Sequence, residues 1–332
     1  MTLTPTDPVL ILSDLHLGHR ASRIEDASRL ESLIRPFRTA IFNGDTAELW
    51  HAADRPLGRK LTGDLARFCH HVGCKAIFVN GNHDPDISEV NHLDLHGGAL
   101  LVTHGDILFL GVAPWSREAK QYLSAHRRIL EGLGEDALGS FEHQLLATKR
   151  ASLELQMWEN PVNRGSLPGL SLLAFQAWPP TRPFKIVHAW LKTPSLAADL
   201  MKLFRPQAHV ILIGHTHCPG VWRRSGRIIV NTGSFLNYMS AQAAIIEGER
   251  LEVRLVNERK GNFTLGKVKE VFKIPRAGGR DLEEFSARPQ SGPTGEQFVY
   301  SVAPELRRNC LKLFSPKKHQ RDSLVIAIHL GN

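Results

Sequence analysis

Five short apolar segments of this chain each end in a cluster of Asp, His or Asn side chains. The segments are residues 9–13, 40–43, 76–80, 100–103 and 209–213. Their β-branched residues and flanking turn residues predict strands, and helix-like stretches at 23–35 and 63–72 alternate with the first of them. This alternation predicts an α/β layer. Because ligands bind at the carboxyl edge of such sheets, the five polar clusters should lie close together.

The rest of the chain adds more strands and one long interruption. We predict strands at 228–231 and two more within 243–256, where Gly248 forms the turn, so the sheets should be mixed. Residues 106–207 instead read as a helical insertion. Four of the six tryptophans fall in this interval: Trp115, Trp158, Trp178 and Trp190. They either pack the insertion onto the sheet or form a lid with an apolar face.

Charge is concentrated in the last part of the chain. Residues 259–332 carry 14 basic and 7 acidic residues, whereas residues 1–258 have a net charge of only +1 (27 basic, 26 acidic). We therefore predict a main domain at 1–258, with the insertion at 106–207, and a basic, partly disordered extension at 259–332. The near-neutral main domain argues against a nucleic-acid partner.

No apolar run is long enough to cross a membrane, and the chain does not begin like a signal peptide. The four cysteines are scattered without a metal or disulfide pattern. The expected location is therefore the cytoplasm. The basic extension could also hold the protein at the inner face of an anionic membrane.

The residues at the five strand ends are of the types that bind metal ions. The candidate ligands are Asp14, His16, Asp45, Asn82, His104, His215 and His217. Mixed nitrogen and oxygen donors suit Mn, Fe, Zn or Co. Seven donors exceed the needs of one ion with an open position, but they match two ions that share a carboxylate. Buried, satisfied polar groups could explain any single cluster, but five in succession favour a metal site.

The ordered set of motifs resembles the calcineurin-like metallophosphoesterases over roughly residues 9–256. The motifs are Asp14-x-His16, Gly44-Asp45-x-x-Glu48, Gly81-Asn82-His83-Asp84, His104-Gly105 and Gly214-His215-x-His217. The resemblance implies a four-layer αββα sandwich with two mixed sheets, plus the helical insertion. It also implies two divalent ions, with manganese the first expectation. One ion is expected on Asp14, His16, Asp45 and His217, and the other on Asp45, Asn82, His104 and His215.

The same resemblance implies the chemistry. A hydroxide that bridges the two ions would attack phosphorus in line, and His83 would act as the catalytic histidine beside the phosphoryl group. Asp84 is expected to orient His83, unless it serves instead as a helix cap. The expected partner is a phosphorylated small molecule.

A narrower resemblance links residues 14–17 and 44–50 to the UDP-2,3-diacylglucosamine hydrolases, which carry a helical lid in the same interval. It implies a lipid-linked nucleotide as a second possible substrate. On this hypothesis Arg117, Lys120, Arg127 and Arg128 could face a pyrophosphate. That subfamily has arginine in the place of His83. The motifs are also compatible with a nuclease of the same superfamily. A non-enzymatic interaction module is a further hypothesis, against which the complete ligand set argues.

Overall fold

Two mixed β-sheets lie face to face and carry helices on their outer faces. A computed structural model of the chain describes residues 5–109, 111–116, 118–157 and 181–275. The strands in these ranges are β1 (Val9–Leu12), β2 (Thr39–Asn43), β3 (Lys75–Val79), β4 (His92–Leu95), β5 (Leu100–Thr103), β6 (Val210–Ile213), β7 (Gly220–Arg224), β8 (Arg227–Asn231), β9 (Gln242–Glu247), β10 (Arg250–Arg259) and β11 (Asn262–Lys273). The α-helices are α1 (Glu31–Ile34), α2 (Arg55–His71), α3 (Ala119–Gly132), α4 (Phe141–Met157) and α5 (Thr181–Phe204).

Each sheet combines three neighbouring parallel strands with antiparallel strands, and in the first sheet the parallel strands form one end. The first sheet has the order β11-β10-β9-β1-β2-β3, in which β1, β2 and β3 are parallel. The second has the order β4-β5-β6-β8-β7, in which β5, β6 and β8 are parallel. The predicted two mixed sheets are therefore confirmed. The parallel strands matter for function because all five predicted polar clusters follow β1, β2, β3, β5 and β6.

Successive side chains of a strand point to opposite faces of the sheet, so the apolar side chains form three layers. Ile11 of β1 points into the layer between the sheets and packs with Val102 and Leu212. Its neighbours Leu10 and Leu12 face the other way, onto α1 and α2. On the outer face of the second sheet, Ile211 packs with residues of α4 and α5. The two helices from the predicted insertion thus supply the fourth layer of the sandwich.

The strands and helices predicted at 9–103 and 209–256 are present, but three strands were missed. β4 and β7 are the two edge strands of the second sheet and include charged residues, and β7 ends in two arginines. β11 is an edge strand in which only Phe263, Gly266 and Phe272 are buried, so it lacks a clear apolar pattern. β10 runs across the predicted boundary at 258/259, and β11 pairs with it as far as Lys273. Residues 276–332 of the predicted extension lie outside the described residues.

Two predicted helices differ in extent. The stretch 23–35 forms only a 3-10 turn at Ala27–Leu30, capped by Asp26, and the short α1. α2 begins at Arg55, earlier than the predicted start at residue 63. Pro56 lies in its first turn, where a helix accepts proline. Among the described helices, none combines the length and the apolar character that a membrane span requires.

A buried ion pair joins α4 to the loop after β5. Lys149 Nζ lies 2.7 Å from Asp106 Oδ2, and both side chains are almost completely buried. Burial opposes the charge of Asp106, but Lys149 outweighs this effect and lowers the pKa of the carboxyl group. Removing either partner would leave an uncompensated charge inside the protein.

Lys149→Met should therefore lower the free energy of unfolding by about 3–5 kcal/mol. Urea unfolding followed by circular dichroism measures this change. Lys202→Met, at an exposed position on α5, is the matched control and should change stability little. The double variant Asp106→Leu/Lys149→Met should recover much of the loss, and equal losses in the single and double variants would contradict this account.

Candidate metal centre

The seven predicted ligands converge at the carboxyl ends of the parallel strands of both sheets. Asp14 and His16 follow β1, Asp45 follows β2, Asn82 follows β3, His104 follows β5, and His215 and His217 follow β6. Six of the seven are at most 5% exposed, and the side chain of His217 is 22% exposed. The fold therefore brings together residues that are up to 203 positions apart in sequence (14 to 217).

Four donors form a first group. His217 Nε2 lies 3.2 Å from both Asp14 Oδ1 and His16 Nε2. His16 Nε2 lies 4.0 Å from Asp14 Oδ1 and 3.7 Å from Asp45 Oδ2. Two donors that are each about 2.1 Å from one ion, at about 90–110° to each other, lie about 3.0–3.4 Å apart. Two of the four distances fall in this range, and the two longer ones suit donors at wider angles, so the group, whose donors all lie within 4.8 Å of one another, could hold one metal ion.

A second group shares an atom with the first. Asp45 Oδ2 lies 3.3 Å from His104 Nε2, which is 3.2 Å from Asn82 Oδ1. His215 Nδ1 lies 2.8 Å from the same Asn82 oxygen. Asp45 Oδ2 thus faces both groups, which is the position that a bridging carboxylate would hold.

Three of the imidazoles are oriented as metal-binding histidines usually are. The outer nitrogen of each ring faces an acceptor: Nδ1 of His104 lies 3.0 Å from the carbonyl oxygen of Asn43, and Nε2 of His215 lies 2.7 Å from that of Val112. Nδ1 of His16 lies 3.4 Å from Glu48. A proton on the outer nitrogen leaves the inner nitrogen free to bind an ion. The donor set therefore fits two metal ions.

The backbone is strained at these residues. Among the described residues, ten non-glycine residues have positive φ, and five of them are predicted ligands: Asp14 (54°), His16 (48°), Asp45 (49°), His215 (66°) and His217 (56°). Such conformations cost about 1–3 kcal/mol each and tend to persist at functional sites. This concentration of strain is independent of the motif pattern and points to the same residues.

Two glycines permit the close packing of the ligand loops. A Cβ atom on Gly44, whose φ is +82°, would lie 2.4 Å from the ring of His104. A Cβ atom on Gly214 would lie 2.1 Å from Asp14 Oδ2. Because no side chain fits at either position, both glycines are required by contact, and Gly44 is also required by its positive φ.

Electrostatics favour ionised carboxylates at the centre of the cluster. Burial opposes the charge of Asp45, but His104 and His83 outweigh it and hold the pKa of this carboxyl group well below its usual range. Burial also opposes the charge of His104, yet Asp45 raises the pKa of this histidine to about 9. Burial and the nearby His104 lower the pKa of His215 to about 4. His215 is therefore neutral, which is the form that binds metal.

His83 lies beside the cluster and is held by Glu48. Its Nδ1 lies 2.9 Å from Glu48 Oε1, and its backbone N–H donates to Asp45 Oδ1 at 2.8 Å. Burial disfavours a charged ring, but Glu48 and Asp45 outweigh it and raise the pKa of His83 to about 10. The sequence motif contained Glu48, but sequence reasoning gave it no role. Its carboxylate faces both His16 and His83.

Asp84 does not have the predicted role of orienting His83. Its carboxylate is fully buried and accepts hydrogen bonds from the backbone N–H groups of Asp45, Thr46, Ala47 and Gly81, at 2.7–3.0 Å. Burial and the charge of Asp45 raise its pKa to about 7. Asp84 instead holds the loop that carries Asp45, because it satisfies backbone donors that no strand satisfies.

In the part of the chain that the structure describes, no contact joins Lys120, Arg127 or Arg128 to the donor cluster. Arg128 is exposed and donates to Glu154 Oε1 of α4 at 2.6 Å, so a surface carboxylate already pairs with it. Lys120 is exposed on α3, and Arg127 is partly buried on the same helix. Arg117 lies outside the described residues. The observed partner of Arg128 is thus Glu154, and the ion pair joins α3 to α4.

Three half-buried tryptophans flank the cluster. The ring of Trp115 is 5.7 Å from that of His215, and the ring of Trp50 is 5.8 Å from that of His83. Nε1 of Trp190 donates to the carbonyl oxygen of Thr216, between two predicted ligands. Trp158 and Trp178 lie outside the described residues. Of the four predicted tryptophans, the two that are described thus contact the ligand loops.

Comparison with protein families identifies the chain. The model of the calcineurin-like phosphoesterase family matches residues 7–219, which is more than half of the 332 residues. The chain belongs to this family. As a calcineurin-like phosphoesterase it is a metal-dependent hydrolase of phosphoester bonds, and the clustered donors suit divalent metal ions. No curated protein sequence matches the chain.

Solved structures with a similar arrangement include three distant proteins. A predicted phosphoesterase from Streptococcus pneumoniae TIGR4 is 12% identical, with 79% of this chain and 97% of that chain covered and a TM-score of 0.34. Zinc-complexed Vps29 from Entamoeba histolytica is 12% identical (81% and 99% covered, TM-score 0.34). A cold-active protein-tyrosine phosphatase from a psychrophilic Shewanella species is 13% identical (78% and 80% covered, TM-score 0.35). The resemblance to UDP-2,3-diacylglucosamine hydrolases is not confirmed by these comparisons.

Proposed function

We propose that this phosphoesterase works with two metal ions that share Asp45. Asp14, His16, Asp45 and His217 would hold one ion, and Asp45, Asn82, His104 and His215 would hold the other. The observation that carries this proposal is the place of Asp45 Oδ2, 3.7 Å from His16 Nε2 and 3.3 Å from His104 Nε2. Mixed nitrogen and oxygen donors favour manganese, iron, zinc or cobalt, with manganese as the first expectation.

When bound, two divalent ions would lower the pKa of water and neutralise charge on the phosphoryl oxygens, so that attack on phosphorus in line with the leaving group becomes possible. The protein contributes the proton for the leaving oxygen. Burial disfavours a charged ring, but Glu48 and Asp45 favour the protonated form of His83, and its side chain is partly exposed beside the donor cluster. Glu48 Oε1 accepts from Nδ1 of His83, which directs the other nitrogen away from Glu48 and toward substrate.

The proposed activity is tested by metal-dependent hydrolysis of simple phosphoesters. Purified protein, stripped with a chelator, should regain turnover of bis-p-nitrophenyl phosphate or p-nitrophenyl phosphate when Mn²⁺ is added. Parallel assays with Fe²⁺, Zn²⁺ and Co²⁺ rank the metals. Absence of turnover with all four ions on both substrates would contradict the proposed function.

A lipid-linked nucleotide is the second candidate substrate, and the surroundings of the cluster favour it. Trp50, Trp115 and Trp190 offer apolar surface beside the donors. On α5, which carries Trp190, the side chains of Phe184 and Leu191 are 78% and 74% exposed. Apolar surface of this kind suits acyl chains. A UDP-linked diacyl sugar should then be hydrolysed faster than its deacylated counterpart, and equal rates would contradict this candidate.

A nuclease is less well supported. Nucleic-acid binding needs basic grooves, and residues 1–258 have a net charge of only +1. The cytoplasmic location and the membrane contact through the basic extension stay predictions, because most of that extension lies outside the described residues.

A further inference from the structure

The last turn of α4 reaches the loop that carries His83. Gln156 is 4% exposed, and its Nε2 donates to the carbonyl oxygens of Asn82 (3.1 Å) and His83 (3.2 Å). These residues are 74 and 73 positions apart from Gln156 in sequence, and Gln156 belongs to the interval predicted as an insertion. A buried amide therefore holds the main chain of one predicted ligand and of the predicted proton donor.

Arg55 extends this contact to the segment that follows Glu48. Its Nε donates to the carbonyl oxygen of Leu49 at 2.7 Å, and its Nη2 donates to those of Trp50 and Gln156. The backbone N–H of Leu49 in turn donates to the carbonyl oxygen of His83 at 3.2 Å. Gln156 and Arg55 thus join the two segments whose side chains, Glu48 and His83, must meet.

We propose that Gln156 is a positioning residue for phosphoester hydrolysis, acting by fixing the Asn82–His83 main chain so that the ring of His83 stays against Glu48 and faces the leaving group. This inference rests on the proposed function. The amide is suited to the task because it supplies N–H donors to two carbonyl oxygens without adding a charge to a buried site. A carboxylate or a thioether of the same length cannot donate to them.

The consequence depends on the leaving group. A good leaving group departs without a proton, whereas a poor one requires proton transfer from a well-placed acid. Displacement of His83 should therefore slow hydrolysis of diphenyl phosphate much more than hydrolysis of bis-p-nitrophenyl phosphate. A residue that only stabilised the fold would change the rates on both substrates by the same factor.

The test compares Gln156→Met and Gln156→Glu with the matched control Gln144→Met. Gln144 lies on the same helix, and its side-chain amide also donates to a carbonyl oxygen, that of Leu138 at 3.1 Å, away from the donor cluster. Steady-state kinetics with Mn²⁺, metal analysis and thermal unfolding are measured for each. For both Gln156 variants, kcat on diphenyl phosphate should fall by about 10–100-fold. Turnover of bis-p-nitrophenyl phosphate, both KM values and the metal content should change little.

Equal losses on the two diesters, a matching loss in Gln144→Met, or unfolding of both Gln156 variants would overturn the proposal and leave Gln156 a residue of stability only. Failure of the proposed function gives a different result, since the unmodified chain would then turn over neither diester. Normal turnover by the unmodified chain with equal losses in the variants contradicts this inference alone.

Discussion

Asp45→Asn should abolish most phosphoesterase activity and release at least one metal ion per chain. The substitution removes a negative charge from the one oxygen that faces both donor groups, Asp45 Oδ2. A loss of about 4 kcal/mol of charge stabilisation in the transition state corresponds to about 10³-fold in rate. Activity on bis-p-nitrophenyl phosphate and metal content by mass spectrometry measure the two effects.

Asp64→Asn is the matched control for this experiment. Asp64 is a carboxylate on the surface of α2 that pairs with Lys60 and Arg67, and its loss should leave metal content and turnover unchanged. The bridging assignment is wrong if Asp45→Asn keeps two tightly bound ions and near-normal turnover.

His83→Ala should slow the chemical step on diphenyl phosphate, whose leaving oxygen needs a proton, by about 10²–10⁴-fold while both ions remain bound. His83 lies beside the donor cluster, and its ring is held by Glu48 rather than by the predicted ligands. Its loss therefore removes a proton donor without removing a metal ligand. Single-turnover rates and metal content, measured on the same preparation, separate these two effects.

Glu48→Gln should give a smaller fall of the same kind, because the amide can still contact the ring but no longer carries the charge that raises its pKa. His70→Ala, at an exposed position on α2, serves as the control and should match the unmodified chain. Loss of metal in proportion to activity in His83→Ala would instead make His83 a ligand.

The donor cluster could be predicted from sequence because its residues lie at or just after the ends of strands, and strands can be recognised from the sequence pattern. The predicted ligands follow apolar segments, so parallel pairing brings Asp14, Asp45 and Asn82 to one edge of the first sheet and His104 and His215 to one edge of the second. The partner of His83 could not be predicted in this way. Adjacency suggested Asp84, but the loop after β2 folds with Asp45 in a left-handed conformation and brings Glu48 to the ring.

The segment at 106–207 shows a second limit of sequence reasoning. Its apolar pattern predicted helices correctly, but a pattern does not state which surface a helix covers. α4 and α5 cover the second sheet, and Gln156 and Trp190 contact loops of the donor cluster. Nothing in the sequence near Gln156 marks it, because its acceptors are main-chain carbonyl oxygens that every residue has. The ion pair of Arg128 could not be predicted for a related reason, since its partner Glu154 lies on another helix.

The most direct test of the two-ion centre is the number of metal ions bound per active chain. The chelator-stripped protein is titrated with Mn²⁺, and bound metal and turnover of bis-p-nitrophenyl phosphate are measured at each point. We predict that turnover rises with the second equivalent and reaches its limit at two ions per chain. Full turnover at one ion per chain, or in the continued presence of excess chelator, would contradict the shared role of Asp45 on which this account depends.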